Sequence, residues 1–404
     1  MIAFVFLTFF TSFYLNARPY NYQDLPIGHR TASMGSAGIA VPDDLAAVIN
    51  NPAMMSFQKE TQISASMSSY TKVDVRNGNH VNLFSSAKDN LSEKTFRAIP
   101  TMVGGSLNTK GYSWGGGIFI PRFFQIEGTL DENSGNTASF TARDESVWIA
   151  AFIANKFKRT AWGATLAYVS VNNTENFSYI TGTSTTQFQL TERSLETNAI
   201  VGILGLGYDL DSKWRVGMSF RTPFLVIGGK GSSLSATDTD ANRAPQVYEA
   251  ENFSEPMRLS LGVSYTASKR WLFALDLHGY TQQRYNLTNT QDLPYQMDAK
   301  PIINFAVGSE YWVWKYLMLR AGVFSNFSSA RNVPSYSTAI NDKVNLMGGS
   351  AALVIKRDTG EVSLGGYLMA GQGHVPDILS NNTGTAIPRS VYFYGFTIAS
   401  TFRF

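Results

Sequence analysis

Residues 28–57 read GHRTASMGSAGIAVPDDLAAVINNPAMMSF and differ from everything that follows them in the chain. The stretch is rich in Ala and Gly and lacks the apolar–polar alternation of a strand. Residues 43–49 are suited to two helical turns with Asp43 or Asp44 as the N-cap. Pro52 would end that helix, because the residue before a proline avoids the α region. Alone, the stretch is equally compatible with an ordinary loop and helix.

From residue 60 onward, alternating segments rich in Val, Ile, Phe, Tyr, Trp and Gly follow one another between turn residues. This pattern predicts β-strands. We count about fourteen, and an even number is typical of bacterial outer-membrane barrels. They span residues 60–76, 96–109, 111–126, 139–155, 160–180, 184–208, 213–227, 256–267, 270–286, 301–313, 315–327, 343–356, 361–373 and 390–404. The sequence therefore predicts an all-β fold, a transmembrane antiparallel β-barrel, with the N-terminal stretch left over to plug it.

The predicted connections alternate between short and long. The short ones lie at residues 108–111, 155–159, 209–213, 267–269, 312–315 and 357–360, and the long polar ones near residues 77–95, 127–138, 228–255, 287–300, 328–342 and 374–389. Outer-membrane barrels combine tight periplasmic turns with long extracellular loops, whereas a soluble sandwich or propeller has no reason to sort its loops. Both chain ends are then expected on the periplasmic side, and the long loops form a possible surface for a protein partner.

Residues 1–17 form an apolar run that ends in a small residue, which resembles a signal peptide although it lacks a basic start. After it, no apolar run approaches the roughly 18 residues of a membrane-spanning helix. The predicted organisation is a signal peptide at 1–17, a hatch at 18–57 and a barrel at 58–404. The predicted location is the outer membrane of a Gram-negative bacterium, so the lipid bilayer is one partner.

Alternation places the charged strand residues on the less apolar face, where we find Arg221, Arg258, His278 and Arg320. A lipid-facing Arg costs about 2–4 kcal/mol at the bilayer midplane, so these side chains are expected to point into the lumen. Two roles are open for them. They pair with other charges and hold barrel and plug together, or some of them bind the anionic head group of a ligand.

Other chemistry finds little support in the sequence. Cysteine is absent, and the net charge of +3 is spread along the chain without a nucleic-acid-binding cluster. Residues 111–115 match G-x-S-x-G, but at a predicted hairpin rather than at a strand-to-helix turn. Residues 238–249 have calcium-loop spacing, but Arg243 stands where the tight turn needs Gly. We expect no catalytic residue, no metal, no cofactor and no nucleic-acid partner.

Residues 28–53 resemble the N-terminal hatch of the FadL/TodX family of outer-membrane transporters for long-chain fatty acids and hydrocarbons. That hatch has the pattern G-x-R-x-x-x-M-G-x-A, followed by acidic residues and Asn-Pro-Ala. The matching residues are Gly28, Arg30, Met34, Gly35, Ala37, Asp43, Asp44, Asn51, Pro52 and Ala53. Residues 115–124, 214–224, 255–281 and 316–329 are also similar to the family.

The resemblance implies a barrel of fourteen strands, plugged by a hatch. The hatch residues that it implies in gating are Gly28, Arg30, Gly35, Asp43, Asp44, Asn51, Pro52 and Ala53. It also implies a kink in the third strand that opens a lateral exit to the bilayer. Pro121 lies in the third predicted strand, where proline removes a ladder hydrogen bond; the alternative is a bulge that merely bends the strand. The implied function is passive, hatch-gated uptake of hydrophobic small molecules. The alternative is a structural or interaction subunit of a secretion-type assembly, since the long loops are polar.

Overall fold

The computed structural model describes residues 21–22, 26–42, 44–77, 90–93, 97–131, 137–181, 187–237, 246–249, 255–286, 296–331, 343–376 and 386–404. The predicted signal peptide, Asp43, and most of the predicted long loops lie outside the described residues.

Fourteen antiparallel strands form a closed barrel. They are β1 Gln62–Asn77, β2 Arg97–Thr109, β3 Tyr112–Asp131, β4 Thr137–Phe157, β5 Thr160–Thr181, β6 Gln187–Asp209, β7 in two segments Trp214–Arg221 and Leu225–Thr237, β8 Arg258–Thr266, β9 Trp271–Tyr280, β10 Ile302–Trp312, β11 Leu317–Asn326, β12 Lys343–Arg357, β13 Gly360–Pro376 and β14 Ala386–Arg403. The first and last strands close the barrel, with Gln62 opposite Arg403 and Asn77 opposite Arg389. The predicted fold class is confirmed.

Tight turns occupy one end of the barrel, at residues 110–111, 158–159, 210–213, 267–270, 313–316 and 358–359, and this confirms the predicted short connections. The prediction of a long loop at 228–255 was wrong in its first part. There β7 continues to Thr237 in register with β6, and a short strand, Gln246–Glu249, pairs with it. Residues 228–237 are mostly Gly, Ser and other polar residues, so the segment lacks the alternating apolar residues of a strand that faces lipid. Two further pieces of sheet are Asn90–Glu93, beside β1, and the hairpin of Gln283–Asn286 with Gln296–Ala299.

The outward face of the barrel is apolar. In β8, the side chains of Leu259 and Leu261 are 40% and 49% exposed, and in β14 those of Phe396 and Ile398 are 55% and 46% exposed. An apolar surface that continues around the strands far exceeds the few hundred Å² that soluble monomers tolerate. In a hydrocarbon environment this apolar surface is not exposed to water, so the barrel spans a membrane. No helix among the described residues is long and apolar enough to cross one.

Residues 26–58, with residue 43 undescribed, lie inside the barrel and are called the plug segment below. Their only α-helix is the single turn α1, Ala47–Asn50, flanked by 3₁₀ turns at Ala32–Met34 and Pro52–Phe57. The predicted N-cap was wrong, since Ala46 caps the helix. Asp44 lies two residues before Ala46, and its carboxylate accepts a hydrogen bond from the Ala46 backbone N–H.

The first described residues lie at the end of the barrel opposite the tight turns. The side-chain amide of Asn21 donates to the backbone oxygens of Asn326 and Val344, at 2.8 and 3.2 Å. Those two residues stand at the long-loop ends of β11 and β12. The N-terminal end itself lies outside the described residues, so its expected place at the short-turn end stays a prediction, while Phe404 does lie at that end, against Thr61.

Candidate channel: the plugged lumen and the interruption at Pro121

One side of the plug segment packs on an apolar wall. Leu45, Val48, Met54 and Met55 are fully buried against β2–β6. The wall side chains in this cluster are Met102, Phe119, Trp148, Ala150, Phe152, Ala154, Ala161, Ala167, Val169, Val171, Ala199, Val201, Ile203 and Phe224. Many of them are Ala, which leaves the lumen wide enough for the larger plug side chains. Burial of apolar area holds this side in place.

Wall glycines let the plug backbone approach the strands closely. A Cβ added to Gly163 in β5 would lie 2.5 Å from the Pro52 carbonyl carbon, and one added to Gly322 in β11 would lie 2.5 Å from the Gly35 nitrogen. Gly35 itself has φ +62°, a left-handed conformation that favours glycine. The matched Gly35 and Pro52 therefore mark two points of close approach.

Polar side chains bind the backbone of the plug segment. Asp276 Oδ2 of β9 accepts hydrogen bonds from the backbone N–H groups of Gly38 and Ile39, at 2.6 and 2.9 Å. Asn51 Nδ2 donates to the backbone oxygens of Ile39 and Leu206, at 2.7 and 3.0 Å. Its Oδ1 accepts from Ala53 N at 3.2 Å. Asn51 thus joins two parts of the plug to β6, which gives the Asn-Pro-Ala sequence a structural role.

A buried ionic network holds the other side of the plug segment. The Arg30 guanidinium lies 3.0 Å from Glu310 Oε2, and Arg320 Nε lies 2.8 Å from the same oxygen. Arg320 Nη1 also donates to Glu361 Oε1 at 3.1 Å and to the His29 backbone oxygen at 3.0 Å. Arg320 thus joins the plug segment to β10, β11 and β13 through its Nε and Nη1 atoms.

His29 and Asp44 complete this network inside the plug segment. His29 Nε2 lies 3.2 Å from Glu361 Oε1, and His29 Nδ1 lies 3.4 Å from Asp44 Oδ1. Burial acts to lower the pKa of His29, but the carboxylates of Glu361 and Asp44 outweigh it and raise that pKa above its ordinary value. Burial acts to raise the pKa of Asp44, but His29 and the backbone N–H groups of Thr31 and Ala46 lower it below its ordinary value.

Pro121 lies at an interruption of the sheet. Between β2 and β3 the ladder ends at Met102 opposite Phe119, and within the described part of the chain no residue of β3 beyond Phe119 pairs with β2. Between β3 and β4, the register shifts after Phe119, so that Ile120 and Pro121 have no ladder partner before Arg122 pairs with Ser146. Proline cannot donate to a ladder and fits a bulge of this kind.

A cavity of about 70 Å³ lies on the lumen side of Pro121. Three of the predicted ligand-binding residues line it, namely Arg221, Arg258 and His278; Arg320 does not. The other lining residues are Tyr22, Ile27, Thr31, Ser36, Ile49, Asn50, Arg122, Trp148 and Glu255. The three predicted residues meet because Arg258 pairs in register with Arg221, and Ser260, two residues on, pairs with His278.

The cavity combines charge neutralisation with unused hydrogen-bond donors. Glu255 pairs with both Arg122 and Arg221, the latter at 3.0 Å. Arg258 Nη2 donates to the Ile49 backbone oxygen at 3.1 Å. The Nε atoms of Arg221 and Arg258, and Nε2 of His278, are buried and find no hydrogen-bond partner among the described residues. The two arginine Nε–H groups are donors that favour an acceptor, so the arrangement suits an anionic or strongly polar head group.

Sequence reasoning missed several residues at this site, among them Arg122, Trp148 and Glu255. Trp148 lies edge-on to Phe224 with the ring centroids 5.7 Å apart, and its ring also faces the Arg221 guanidinium. A search for the acid that neutralises several lumen-facing arginines could have pointed to Glu255, which lies shortly before the start of β8 at Arg258. Among the residues that the structure describes, no group of three or more His, Asp or Glu side chains is arranged so that it could hold a metal ion.

No family model matches the chain, and no curated protein matches its sequence. Solved structures match it closely in shape. A FadL homologue from Pseudomonas aeruginosa superposes with a TM-score of 0.73 at 12% identity, covering 94% of this chain and 99% of the homologue. The chain has the FadL fold.

Two further structures with this fold are toluene transporters. TbuX of Ralstonia pickettii superposes with a TM-score of 0.65 at 15% identity, covering 95% of this chain and 99% of TbuX. TodX of P. putida superposes with a TM-score of 0.66 at 14% identity, covering 94% and 99%. At such identities the likeness establishes the architecture. The resemblance seen in residues 28–53 agrees with it.

Proposed function

We propose that this protein is an outer-membrane channel for passive uptake of hydrophobic small molecules such as long-chain fatty acids or hydrocarbons. The apolar outward face, the separation of tight turns from long connections and the FadL fold support this location. Transporters of toluene share the fold. The bilayer and a hydrophobic ligand are then the partners, and transport needs no catalytic step.

The observation that carries the proposal is the interrupted ladder at Pro121 with a lumen cavity directly behind it. A ligand in that cavity is separated from the bilayer by strands that lack hydrogen bonds to one another beyond Phe119. Opening such a gap breaks no backbone ladder, whereas opening any fully paired strand pair would leave backbone groups unsatisfied in lipid. Ligand leaves sideways here.

Ligand binding needs movement of the plug segment. A pocket for a drug-sized ligand is roughly 300–1,000 Å³, and the cavity of about 70 Å³ is much smaller. Ile27 and Ile49 of the plug segment line it together with Trp148. Their displacement would open apolar wall for an acyl chain or ring, at about 0.8 kcal/mol per buried methylene. Arg258 and His278 would orient a polar head.

Gating is assigned to the matched residues of the plug segment, Gly28, Arg30, Gly35, Asp43, Asp44, Asn51, Pro52 and Ala53. Apolar contacts with β2–β6 dominate one side, where Asn51 and Val48 also form hydrogen bonds to the wall, and ionic and hydrogen-bonded contacts with β8–β13 form the other. The polar side is the weaker one when water enters, because water competes for its hydrogen bonds and screens its charges. The plug segment therefore detaches from the barrel wall first on its polar side.

Reversible closure of the gap tests the lateral exit. If the β2–β3 ladder continued, Thr101 would lie opposite Ile120, so a Thr101→Cys/Ile120→Cys pair is placed to bridge the gap in a chain without other cysteines. The matched control on the same strands is Val103→Cys/Ile118→Cys, which bridges residues that already pair. The measurement is the initial rate of radiolabelled oleate and toluene uptake by cells that lack other such channels.

Uptake should stop in the oxidised 101/120 variant and return on reduction, while the 103/118 variant takes up ligand in both states. Pro121→Val, which supplies a ladder N–H, should slow uptake, with the outward-facing Pro388→Val as its control. Uptake that is unaffected in all these variants would overturn the lateral exit.

A second candidate function is that of a structural or interaction subunit. The filled lumen favours it, because a barrel that never opens needs no larger cavity. This candidate predicts a second protein that stays bound to the barrel after extraction in mild detergent. Native mass spectrometry distinguishes the two: a bound fatty acid or hydrocarbon supports the channel, and an empty barrel with a stoichiometric protein partner supports the subunit.

A further inference from the structure

A second and larger cavity, of about 550 Å³, lies at the long-loop end of β12, β13 and β14. Its lining includes Lys343, Asn345, Gln372, His374, Arg389 and Ser390. It is separate from the lumen cavity at Pro121 and shares no lining residue with it. We propose that it binds the phosphorylated head group of an outer-leaflet glycolipid.

Strand alternation places most of this lining on the outside of the barrel. In β13, Gln372 and His374 continue the outward row that contains Leu368, which is 53% exposed. In β12, Asn345 and Lys343 continue the outward row that contains Met347, which is 52% exposed. The cavity therefore lies where the apolar band ends on the lipid-facing side.

The three strands change chemistry at the same height, because they are in register. Met347 pairs with Ala370, and the next outward pairs are Asn345 with Gln372 and Lys343 with His374. Gln372 in turn pairs with Ser390 of β14. In each strand, the row of outward-facing residues thus changes from apolar to polar between one outward-facing residue and the next. This is the boundary between acyl chains and head groups, where lipid phosphates lie.

The lining suits a phosphorylated sugar. Lys343 supplies a positive charge, His374 a ring nitrogen, and Asn345, Gln372 and Ser390 amide and hydroxyl groups that bond sugar hydroxyls. No acidic residue is among the described lining residues. Basic sites beside a membrane attract anionic head groups, at about 1 kcal/mol for each Lys or Arg near the surface. The volume falls in the range of roughly 300–1,000 Å³ for small-molecule sites.

The proposal rests on the membrane location and not on transport, so the test uses lipid binding alone. The intact barrel in detergent is titrated with lipid A, with dephosphorylated lipid A and with phosphatidylglycerol, and bound lipid is counted by native mass spectrometry. The variants are Lys343→Gln and His374→Gln. The control is Lys213→Gln, an exposed lysine at the tight-turn end.

Wild-type protein should retain lipid A and not its dephosphorylated form. Removal of the Lys343 charge should weaken retention about fivefold, His374→Gln should weaken it as well, and Lys213→Gln should leave it unchanged. Equal retention by Lys343→Gln and wild type would overturn the proposal. So would equal binding of phosphatidylglycerol, since it would show a general attraction to anionic lipid rather than a glycolipid site.

Discussion

Arg30 of the plug segment and Glu310 of β10 form a two-point ion pair, with Nε 3.0 Å from Oε2 and Nη2 3.1 Å from Oε1. Both side chains are buried. The pair joins the most specific part of the sequence motif to the barrel wall. The Nη2 contact is a charge-assisted hydrogen bond, and the Nε contact is an ion-pair approach that adds electrostatic attraction.

Loss of Arg30 should release the polar side of the plug segment. Arg30→Gln leaves Glu310 paired only with Arg320, and breaking a buried pair costs about 3–5 kcal/mol. Even a loss of about 3 kcal/mol should make the plug amides exchange with solvent roughly 100-fold faster. Hydrogen exchange with mass spectrometry measures this. Arg159→Gln, at an exposed turn, is the control and should change nothing; equal protection of residues 28–41 in both variants would show that the pair does not hold the plug.

A methyl group on Gly322 should displace the plug without unfolding the barrel. Its Cβ would lie 2.5 Å from the backbone nitrogen of Gly35, so either the strand or the plug must shift. Overpacking of this kind costs about 1–3 kcal/mol, and the plug, held by fewer ladder bonds than the strand, is the part that yields.

The control for Gly322→Ala is Gly228→Ala, where an added Cβ meets nothing within 4 Å. Bilayer conductance should show openings in the Gly322 variant alone, while both variants keep the heat-dependent gel mobility of a folded barrel. If Gly322→Ala stays as closed as the control, the plug does not occlude the lumen through this contact.

Much of the barrel could be predicted from the sequence because lipid and water impose strict alternation on residues such as Leu259 and Ser260. The second half of β7 was missed, since its ladder to β6 extends where no lipid enforces an apolar face. The alternation also predicts arginines on the lumen face, but their partners depend on register between distant strands. Nothing local in the sequence distinguishes Arg320, bound to Glu310 and Glu361, from Arg258, which lines the cavity.

Replacement of Asn51 even by aspartate, which has the same shape, should weaken docking of the plug segment. Asn51→Asp keeps the shape but removes the two N–H donors to the backbone oxygens of Ile39 and Leu206, and places carboxylate oxygens against them. A buried group left unsatisfied costs about 1–3 kcal/mol. Asn155→Asp is the matched control, because Asn155 makes the same donor-to-carbonyl contact, to Gly111, in an exposed position.

Hydrogen exchange at residues 38–41 should rise about 10-fold or more in Asn51→Asp and stay unchanged in Asn155→Asp. The same increase in both variants would mean that buried Asn51 contributes no more than a surface amide.

Docking of the plug segment should weaken as pH rises. The pKa of His29 is raised by Glu361 and Asp44, so protonated His29 binds both carboxylates. A raised pKa stabilises the docked state fully below the ordinary value of about 6.5, and this stabilisation is lost as pH rises through the higher docked value. The pKa of Asp44 is lowered, so its contribution is present above about 4 and lost only on strong acidification. Docking of the plug segment is therefore tightest between about pH 4 and pH 6.5.

Exchange of the plug amides, corrected for the intrinsic effect of pH, should increase in the wild type as the pH rises above about 6.5 and through the raised pKa of His29. His29→Gln removes the titrating group and should abolish that step while it weakens docking at pH 6. His374→Gln removes an exposed histidine at the far end of the barrel and should keep the wild-type profile. A step that survives in His29→Gln would assign the pH response to another group and separate His29 from the docking of the plug.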